Sequence, residues 1–237
     1  MRAAIVVAGG TGERFGRAGG KQLARVAGLP LVAHALRAFD QSSTIDAVVL
    51  VCHPDRVDEY RTTAVESAGL RKIVAVVPGG DTRRGSVAAG LAALPEGATL
   101  VAVHDGARPL VDPACIDAAV ASLEARPGAD GVVVGHPCID TVKTVACSLQ
   151  VSGTLDREVL WIAQTPQVFR TAVLRSAHEA AAAEGFEGTD DASLVERRGG
   201  VVFMLEGPRN NVKVTTPDDL AVVECLLGGP RAGEPDA

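Results

Sequence analysis

The chain has 237 residues, of which 47% are hydrophobic and only 22% charged, a balance that builds a sizeable core and excludes disorder over the bulk of the chain. Lysine and arginine total 23 against 29 aspartate and glutamate, giving a formal charge of −6, which argues against a surface built throughout to grip nucleic acid or anionic lipid. Five cysteines (Cys52, Cys115, Cys138, Cys147, Cys225) without CxxC spacing point to neither a disulfide framework nor a zinc site, and no apolar run is long enough to cross a membrane, so the expectation is a soluble protein of the cytoplasm.

Short apolar runs alternate with longer segments of helical period. Ala3–Ala8, Ala47–Cys52, Ile73–Val77, Leu100–His104 and Gly131–Gly135 read as strands, nearly all apolar, as parallel strands covered on both faces are. Between them Leu31–Asp40, Asp55–Ala68, Gly85–Leu94 and Pro113–Ala125 read as helices, the last with Asp112 as N-cap and Pro113 in its first turn. This rhythm predicts an open, doubly wound α/β sheet. After residue 135 the rhythm breaks into a β-rich excursion over 136–160, with Ser152-Gly153 as a turn signal. Helices Ala172–Glu184 and Asp191–Arg198, a strand Val201–Leu205, an extended piece Asn211–Thr215 and a closing helix Pro217–Leu227 follow. One domain spans 1–227, and the Gly/Pro/acidic tail 228–237 reads as frayed.

The first strand runs into Ala8-Gly9-Gly10-Thr11-Gly12-Glu13-Arg14-Phe15-Gly16, with Lys21 soon after. Glycines let consecutive N–H groups face an anion, and arginine and lysine add charge. A Walker A loop needs glycine where Phe15 stands and Ser/Thr where Gln22 stands, and a dinucleotide GxGxxG from Gly10 also fails at Phe15. What stays open is a distinct triphosphate loop or a glycine-rich connection without a ligand. Gly79-Gly80-Asp81-Thr82-Arg83-Arg84-Gly85-Ser86 follows the third strand, as a second ligand loop or a turn with an N-cap. His104-Asp105-Gly106-Ala107-Arg108-Pro109 ends the fourth. Asp105 there can meet a ribose hydroxyl or help hold Mg²⁺, or cap the loop and pair with Arg108. His104 reads as a structural strand-end residue, and Asp190-Asp191 as a helix cap. No Ser-His-Asp or His/Cys metal constellation is present, which leaves covalent and zinc chemistry without residues.

Taken in order with Asp140-Thr141-Val142-Lys143, Asp156-Arg157, Gln164-Thr165-Pro166-Gln167, Thr189-Asp190-Asp191-Ala192-Ser193 and Asn210-Asn211-Val212-Lys213, these segments resemble the 2-C-methyl-D-erythritol 4-phosphate cytidylyltransferases of non-mevalonate isoprenoid synthesis, over roughly residues 3 to 227. The resemblance implies a Rossmann-like nucleotidyltransferase fold, a mostly parallel sheet with a protruding β-arm (136–160) that embraces a second subunit of a homodimer. It implies CTP phosphates on Gly9, Gly10, Gly12, Arg14 and Lys21, cytosine against Ala8, Gly80, Asp81 and Ser86, and ribose near Asp105 and Gly106. The polyol phosphate is expected at Thr141 and Arg157 of the partner's arm, with Arg108, Thr165, Thr189 and Lys213 nearby. Arg14, Lys21, Lys213 and Arg157 carry the catalytic expectation. Mg²⁺ or another divalent cation is held largely by the nucleotide, with Asp105 as candidate protein ligand. Three positions depart from the family pattern: Val7-Ala8-Gly9-Gly10 stands for Pro-Ala-Ala-Gly, Gly106 for alanine, and Asn210 for an acidic residue expected at substrate hydroxyls. The Ala-Gly-Gly loop also occurs in ribitol 5-phosphate cytidylyltransferases, which keeps that acceptor open beside methylerythritol 4-phosphate. A nucleotide-binding module without turnover is the alternative of another class.

Overall fold

The structure is a computed structural model that describes residues 1–10 and 20–228. Chain order runs β1 (Arg2–Val7), the short hairpin β2 (Arg25–Val26) and β3 (Leu29–Pro30), α1 (Leu31–Gln41), β4 (Ala47–Cys52), α2 (Val57–Tyr60), β5 (Ile73–Pro78), α3 (Arg83–Ala92), β6 (Leu100–Asp105) and α4 (Pro113–Glu124). Then come β7 (Gly131–Pro137), β8 (Lys143–Val145), β9 (Val151–Thr154), β10 (Trp161–Arg170), α5 (Thr171–Glu184), α6 (Asp191–Arg197), β11 (Val202–Glu206) and α7 (Pro217–Gly228). Seven strands form one sheet in the order β11-β7-β10-β6-β1-β4-β5, and β8-β9 make a separate ribbon. All neighbours in the large sheet pair in parallel except β10, which runs antiparallel between β6 and β7.

Every residue of β4 and β6 is buried, which explains the apolar runs Ala47–Cys52 and Leu100–Val103; β6 then closes on buried His104 and Asp105. One face packs Leu36 and Phe39 of α1 and Ile116 and Leu123 of α4. The other packs Val87 and Leu91 of α3 with Leu174 of α5 and Leu194 of α6. Helix α3 approaches especially closely: a Cβ added to Gly90 would stand 2.5 Å from Ile5 Cγ2 and 3.0 Å from Val51 Cγ2. The expected caps are present. Asp112 accepts from the Ala114 N–H with Pro113 in the first turn, and Asp190 and Ser193 form a capping box on α6.

Several expectations need correction. Asp55–Ala68 is not one α-helix but a 3₁₀ turn Pro54–Arg56, the short α2, and a π-helical stretch Arg61–Glu66. The Thr62 hydroxyl donates to the carbonyls of Asp58 and Glu59, and that of Ser67 to Thr63, competing with the regular ladder. Ser152-Gly153 lies inside β9 rather than at a turn; the ribbon turns at 146–150, where Ala146 and Gln150 close the loop and Leu149 has φ 62. The excursion starts after Pro137, since His136 and Pro137 still pair with β10. Gly228 belongs to α7, and residues 229–237 of the expected tail lie outside the described residues. The sequence reading places no strand over Trp161–Arg170. There Gln164, Thr165, Pro166 and Gln167 break the apolar pattern, and the register shifts between Ala163 and Gln167. Asn211–Thr215, expected only as an extended piece, joins no ladder among the described residues and is held by tertiary bonds.

Away from the strand ends, Asp117 of α4 ties down the end of α1. Its carboxylate accepts from the hydroxyls of Ser42, Ser43 and Thr44 and from the N–H groups of Ser43 and Thr44. Partial burial works to raise its pKa, but the three hydroxyls and the Ser43 amide outweigh that and hold it well below the usual carboxylate range. Asp117→Ala is expected to lose about 2 kcal/mol at pH 7, less than five separate bonds would sum to because water screens the half-buried group. That is a drop of about 4–8 °C in thermal midpoint. The depressed folded pKa places this contribution above about pH 4, and the gap between wild type and variant should close as pH falls below it. Thermal melts at pH 7 and about pH 3 check both statements.

Candidate active site

A cleft of about 600 Å³ opens beyond the carboxyl ends of β1, β4, β5 and β6, where ligands of open α/β sheets bind. Gly9, Gly10, Lys21, Gly80, Asp81, Ser86, Asp105 and Lys213 all line it, as the sequence reading expects. Ala8 lies beneath, buried, its N–H donating to Val51 at 2.7 Å and its carbonyl accepting from the Tyr60 hydroxyl at 3.2 Å. The Gly106 N–H donates to the Val7 carbonyl and extends the β1–β6 pairing one step past the strands. Gly12 and Arg14 lie outside the described residues.

The start of α3 forms one wall. Thr82 caps it by accepting from the Gly85 N–H, and Ser86 Oγ donates to the Gly80 carbonyl at 3.3 Å. A Cβ on Gly80 would lie 3.0 Å from the Gly85 carbonyl carbon, so glycine permits this closure of the loop on the helix. The facing wall is the 211–215 loop. Asn211 is fully buried; its Nδ2 donates to Gln164 Oε1 (3.1 Å) and the Thr165 carbonyl (2.8 Å), and its own carbonyl accepts from Arg108 Nη1 at 2.7 Å. Val214 donates its N–H to Ala107 and accepts from Lys21 Nζ at 2.6 Å. The first loop, the end of β6 and this loop are thereby tied together.

Asp105 sits between these walls. Its Oδ2 accepts from Lys213 Nζ at 2.7 Å and its Oδ1 from Arg83 Nε at 3.4 Å; the pairing with Arg108 considered from the sequence is replaced by these two. Burial works to raise the Asp105 pKa, but Arg83 and then Lys213 outweigh it and keep the group ionised far below the usual range. Next to it, His104 is fully buried. Its Nε2 faces the Arg108 carbonyl at 3.1 Å and must donate, so its Nδ1 accepts from Thr165 Oγ1 at 3.0 Å. Burial pushes its pKa down to about 4. Neutral and with both nitrogens engaged, His104 is structural rather than a base, in line with its sequence reading.

Other expected residues lie elsewhere. Thr165 stands behind the cleft, where its hydroxyl also accepts from the Asp105 N–H at 3.1 Å. Arg108 anchors Asn211. Thr141 and Arg157 are exposed on the arm, with Arg157 Nη1 donating to the Ile139 carbonyl at 3.2 Å, and Thr189 and Asn210 are exposed too. None of these four lines this chain's cleft. Thr82 and Arg83, part of the second candidate loop but given no role of their own, line it too, as do Thr215 and His53. Arg83 carried the one available signal, a basic residue at a helix start beside Gly-Gly-Asp. Lys21, Arg83 and Lys213 against Asp81 and Asp105 make the lining locally positive in a chain of net charge −6. Among the described residues no group of three or more His, Cys, Asp or Glu is arranged to hold a metal, and both Asp105 oxygens face cations. This donor set fits a divalent ion that arrives on phosphates and not one caged by the protein.

A mostly parallel, doubly wound sheet whose strand ends frame a glycine-lined cationic cleft is that of a Rossmann-like nucleotidyltransferase. The family model of 2-C-methyl-D-erythritol 4-phosphate cytidylyltransferase matches residues 2–229, and the chain belongs to that family. It is 45% identical over 225 residues to the enzyme of that name from Pelotomaculum thermopropionicum, covering 95% of this chain and 93% of the relative. The namesake from Geotalea uraniireducens is 41% identical, with 94% and 95% covered. Among solved structures, the 2-C-methyl-D-erythritol 4-phosphate cytidylyltransferase of Thermus thermophilus superposes with TM-score 0.75 at 32% identity, covering 96% of this chain and 99% of that one. The 4-diphosphocytidyl-2C-methyl-D-erythritol synthase of Anaerococcus prevotii gives 0.82 at 26%, covering 96% of both chains. These names favour the methylerythritol expectation over ribitol 5-phosphate.

The folded pKa of His104, about 4, lies below the ordinary 6.5, so between those values the unfolded chain takes up a proton that the folded chain refuses. Stability is expected to be full above about pH 6.5 and to fall as pH drops toward 4. Urea unfolding of His104→Gln should give lower stability than wild type at neutral pH and a shallower acid-side decline; equal declines would remove His104 as the cause.

Proposed function

We propose that this cleft transfers CMP from CTP to 2-C-methyl-D-erythritol 4-phosphate, giving 4-diphosphocytidyl-2-C-methyl-D-erythritol and pyrophosphate. The observation that carries the reading is the convergence of Gly9-Gly10, Lys21, Asp105 and Lys213 on one cleft in a chain of this family. In this reading the triphosphate follows the Gly9, Gly10, Gly12 loop with Arg14 and Lys21. Cytosine lies against Ala8, Gly80, Asp81 and Ser86, and ribose near Asp105 and Gly106. The acceptor lies toward Lys213, with Arg108, Thr165, Thr189 and Asn210 on that side, and Thr141 and Arg157 come from the arm of a second copy. The arm supports the last assignment: Leu149 at the tip of its ribbon and Ile139 and Val159 at its base are 81%, 60% and 75% exposed, apolar side chains suited to burial in a homodimer. No described helix is long and apolar enough to cross a membrane, and the cytoplasm is the compartment proposed.

An oxygen of the acceptor's phosphate monoester attacks the α-phosphorus of CTP in line, a new P–O bond forms, and the bond to the β-phosphate oxygen breaks to release pyrophosphate. The nucleophile is already ionised near neutral pH, which makes a general base unnecessary and agrees with the sealed, neutral His104. The barrier lies in bringing two anions together and in the charge that grows on the leaving pyrophosphate. Lys21, fixed by the Val214 carbonyl, meets charge at the α-phosphate, while Lys213 steers the acceptor from beside Asp105. A divalent ion carried on the phosphates, with Asp105 as the candidate protein ligand, would supply Lewis-acid charge neutralisation.

Pyrophosphate release with CTP and methylerythritol 4-phosphate tests the reading; turnover only with ribitol 5-phosphate in its place would overturn the acceptor, and none with either would leave a binding module. Lys21→Ala should lower kcat by about 10²–10³ with the fold intact, and a change under about threefold counts against its role. The partner's contribution has its own test. Leu149→Asp together with Val159→Asp should shift the mass in solution from dimer to monomer and raise the KM for the acceptor, as Arg157→Ala should within the dimer. An effect of Arg157→Ala confined to CTP would contradict its placement.

A further inference from the structure

Three side chains that the proposed reaction does not use, or uses only as lining, form a line into the cleft. His178 of α5 is buried and donates from Nε2 to Asp191 Oδ1 at 3.0 Å, since a carboxylate can only accept. Asp191, first residue of α6, is 1% exposed, and its Oδ2 stands 2.7 Å from Arg83 Nη1 as a charge contact rather than an aligned hydrogen bond. Arg83, first residue of α3, turns its Nε toward Asp105 Oδ1 at 3.4 Å.

Asp191 has no need to be there for the helix, because Asp190 already caps α6 through the Ser193 N–H. A carboxylate taken fully out of water is costly unless a cation and donors meet it, and here the cation comes from another helix. Burial works against the Arg83 charge, but Asp191 and then Asp105 more than offset it and raise its pKa, so the guanidinium stays charged between two carboxylates. The planar guanidinium presents Nη1 to one acid and Nε to the other; a lysine ammonium is a single point and cannot span both.

We infer that Arg83 is a positioning residue for the nucleotide side of the cleft: anchored from behind by Asp191, which His178 orients, it fixes the Asp105 carboxylate so that its remaining lone pairs face the ribose. Lys213 grips the same carboxylate from the acceptor side, so Arg83 sets the orientation from the side of α3. This rests on the reading of the cleft as a CTP site. It assigns Asp191, a residue with no access to substrate, to nucleotide affinity.

Calorimetric titration of CTP into wild type, Arg83→Gln, Arg83→Lys, Asp191→Asn and the double variant Arg83→Gln/Asp191→Asn tests it, with a thermal melt of each and acceptor KM from pyrophosphate release. Arg83→Gln should weaken CTP about tenfold and leave the acceptor KM within about twofold, and Arg83→Lys should fail to restore CTP affinity. Asp191→Asn should weaken CTP in the same direction, and the double variant should be no worse than about twofold beyond Arg83→Gln, because the two residues act in series. Unchanged CTP affinity in a folded Arg83→Gln, full restoration by lysine, or losses that multiply in the double variant would overturn the inference while the transferase reading stands. If Asp191→Asn does not fold, the two Arg83 variants decide alone. Wild-type protein that neither binds CTP nor releases pyrophosphate would overturn the transferase reading and this role with it.

Discussion

Asp105 ends a fully buried strand with its carboxylate withdrawn from water, and an ionised carboxylate holds such a place only when cations are brought to it. Much of the site is arranged to bring them. Arg83 comes from the first turn of α3 and Lys213 from a loop more than a hundred residues further along the chain. That loop has no ladder of its own and stays in place because Arg108, Ala107 and Lys21 bind its backbone and Gln164 and Thr165 accept from the Asn211 amide. The same charges that make a buried Asp105 tolerable make the cleft locally positive, which is what a polyanionic nucleotide meeting a second phosphate requires.

The half of the fold near the first loop was legible because its elements are self-sufficient in sequence. β1, β4 and the first four residues of β6 are covered on both faces and read as apolar runs, and α4 announces itself through Asp112 and Pro113. β10 was not legible. Its polar residues point to partners on other elements, Gln167 to Asp190 and the Ala192 amide, Gln164 to Asn211, and local pattern carries no trace of such partners. The break of the helix after Tyr60 likewise depends on where threonine and serine hydroxyls turn, a choice that apolar periodicity does not record.

Within the site, Gly9, Gly80 and Asp105 at strand ends and Ser86 of α3 were found, whereas Arg83 of α3 and His53 after β4 carried no role in the sequence reading. Gly9, Gly80, Asp105 and their neighbours lie where chain topology puts them. Arg83 stood only as one position of the loop Gly79–Ser86, and Asp191 as part of a helix cap. Only their separation of 2.7 Å shows that the two helices share one ion pair. Asp191 also shows why burial outranks residue type: on a surface it would have been the dipole complement it resembles.

Gly90 lies in the middle of α3, remote from the cleft, and its hydrogen is all that fits against Ile5 and Val51. The helix therefore rests on the sheet at the least separation its backbone allows, and that separation decides how far Thr82 and Arg83 reach over the strand ends. A methyl group at position 90 would force Ile5, Val51 or the helix itself to move, and any movement of the helix is carried along the rod to Thr82 and Arg83. The placement of the cleft wall is thus set in part from inside the hydrophobic layer, by the thickness of one contact.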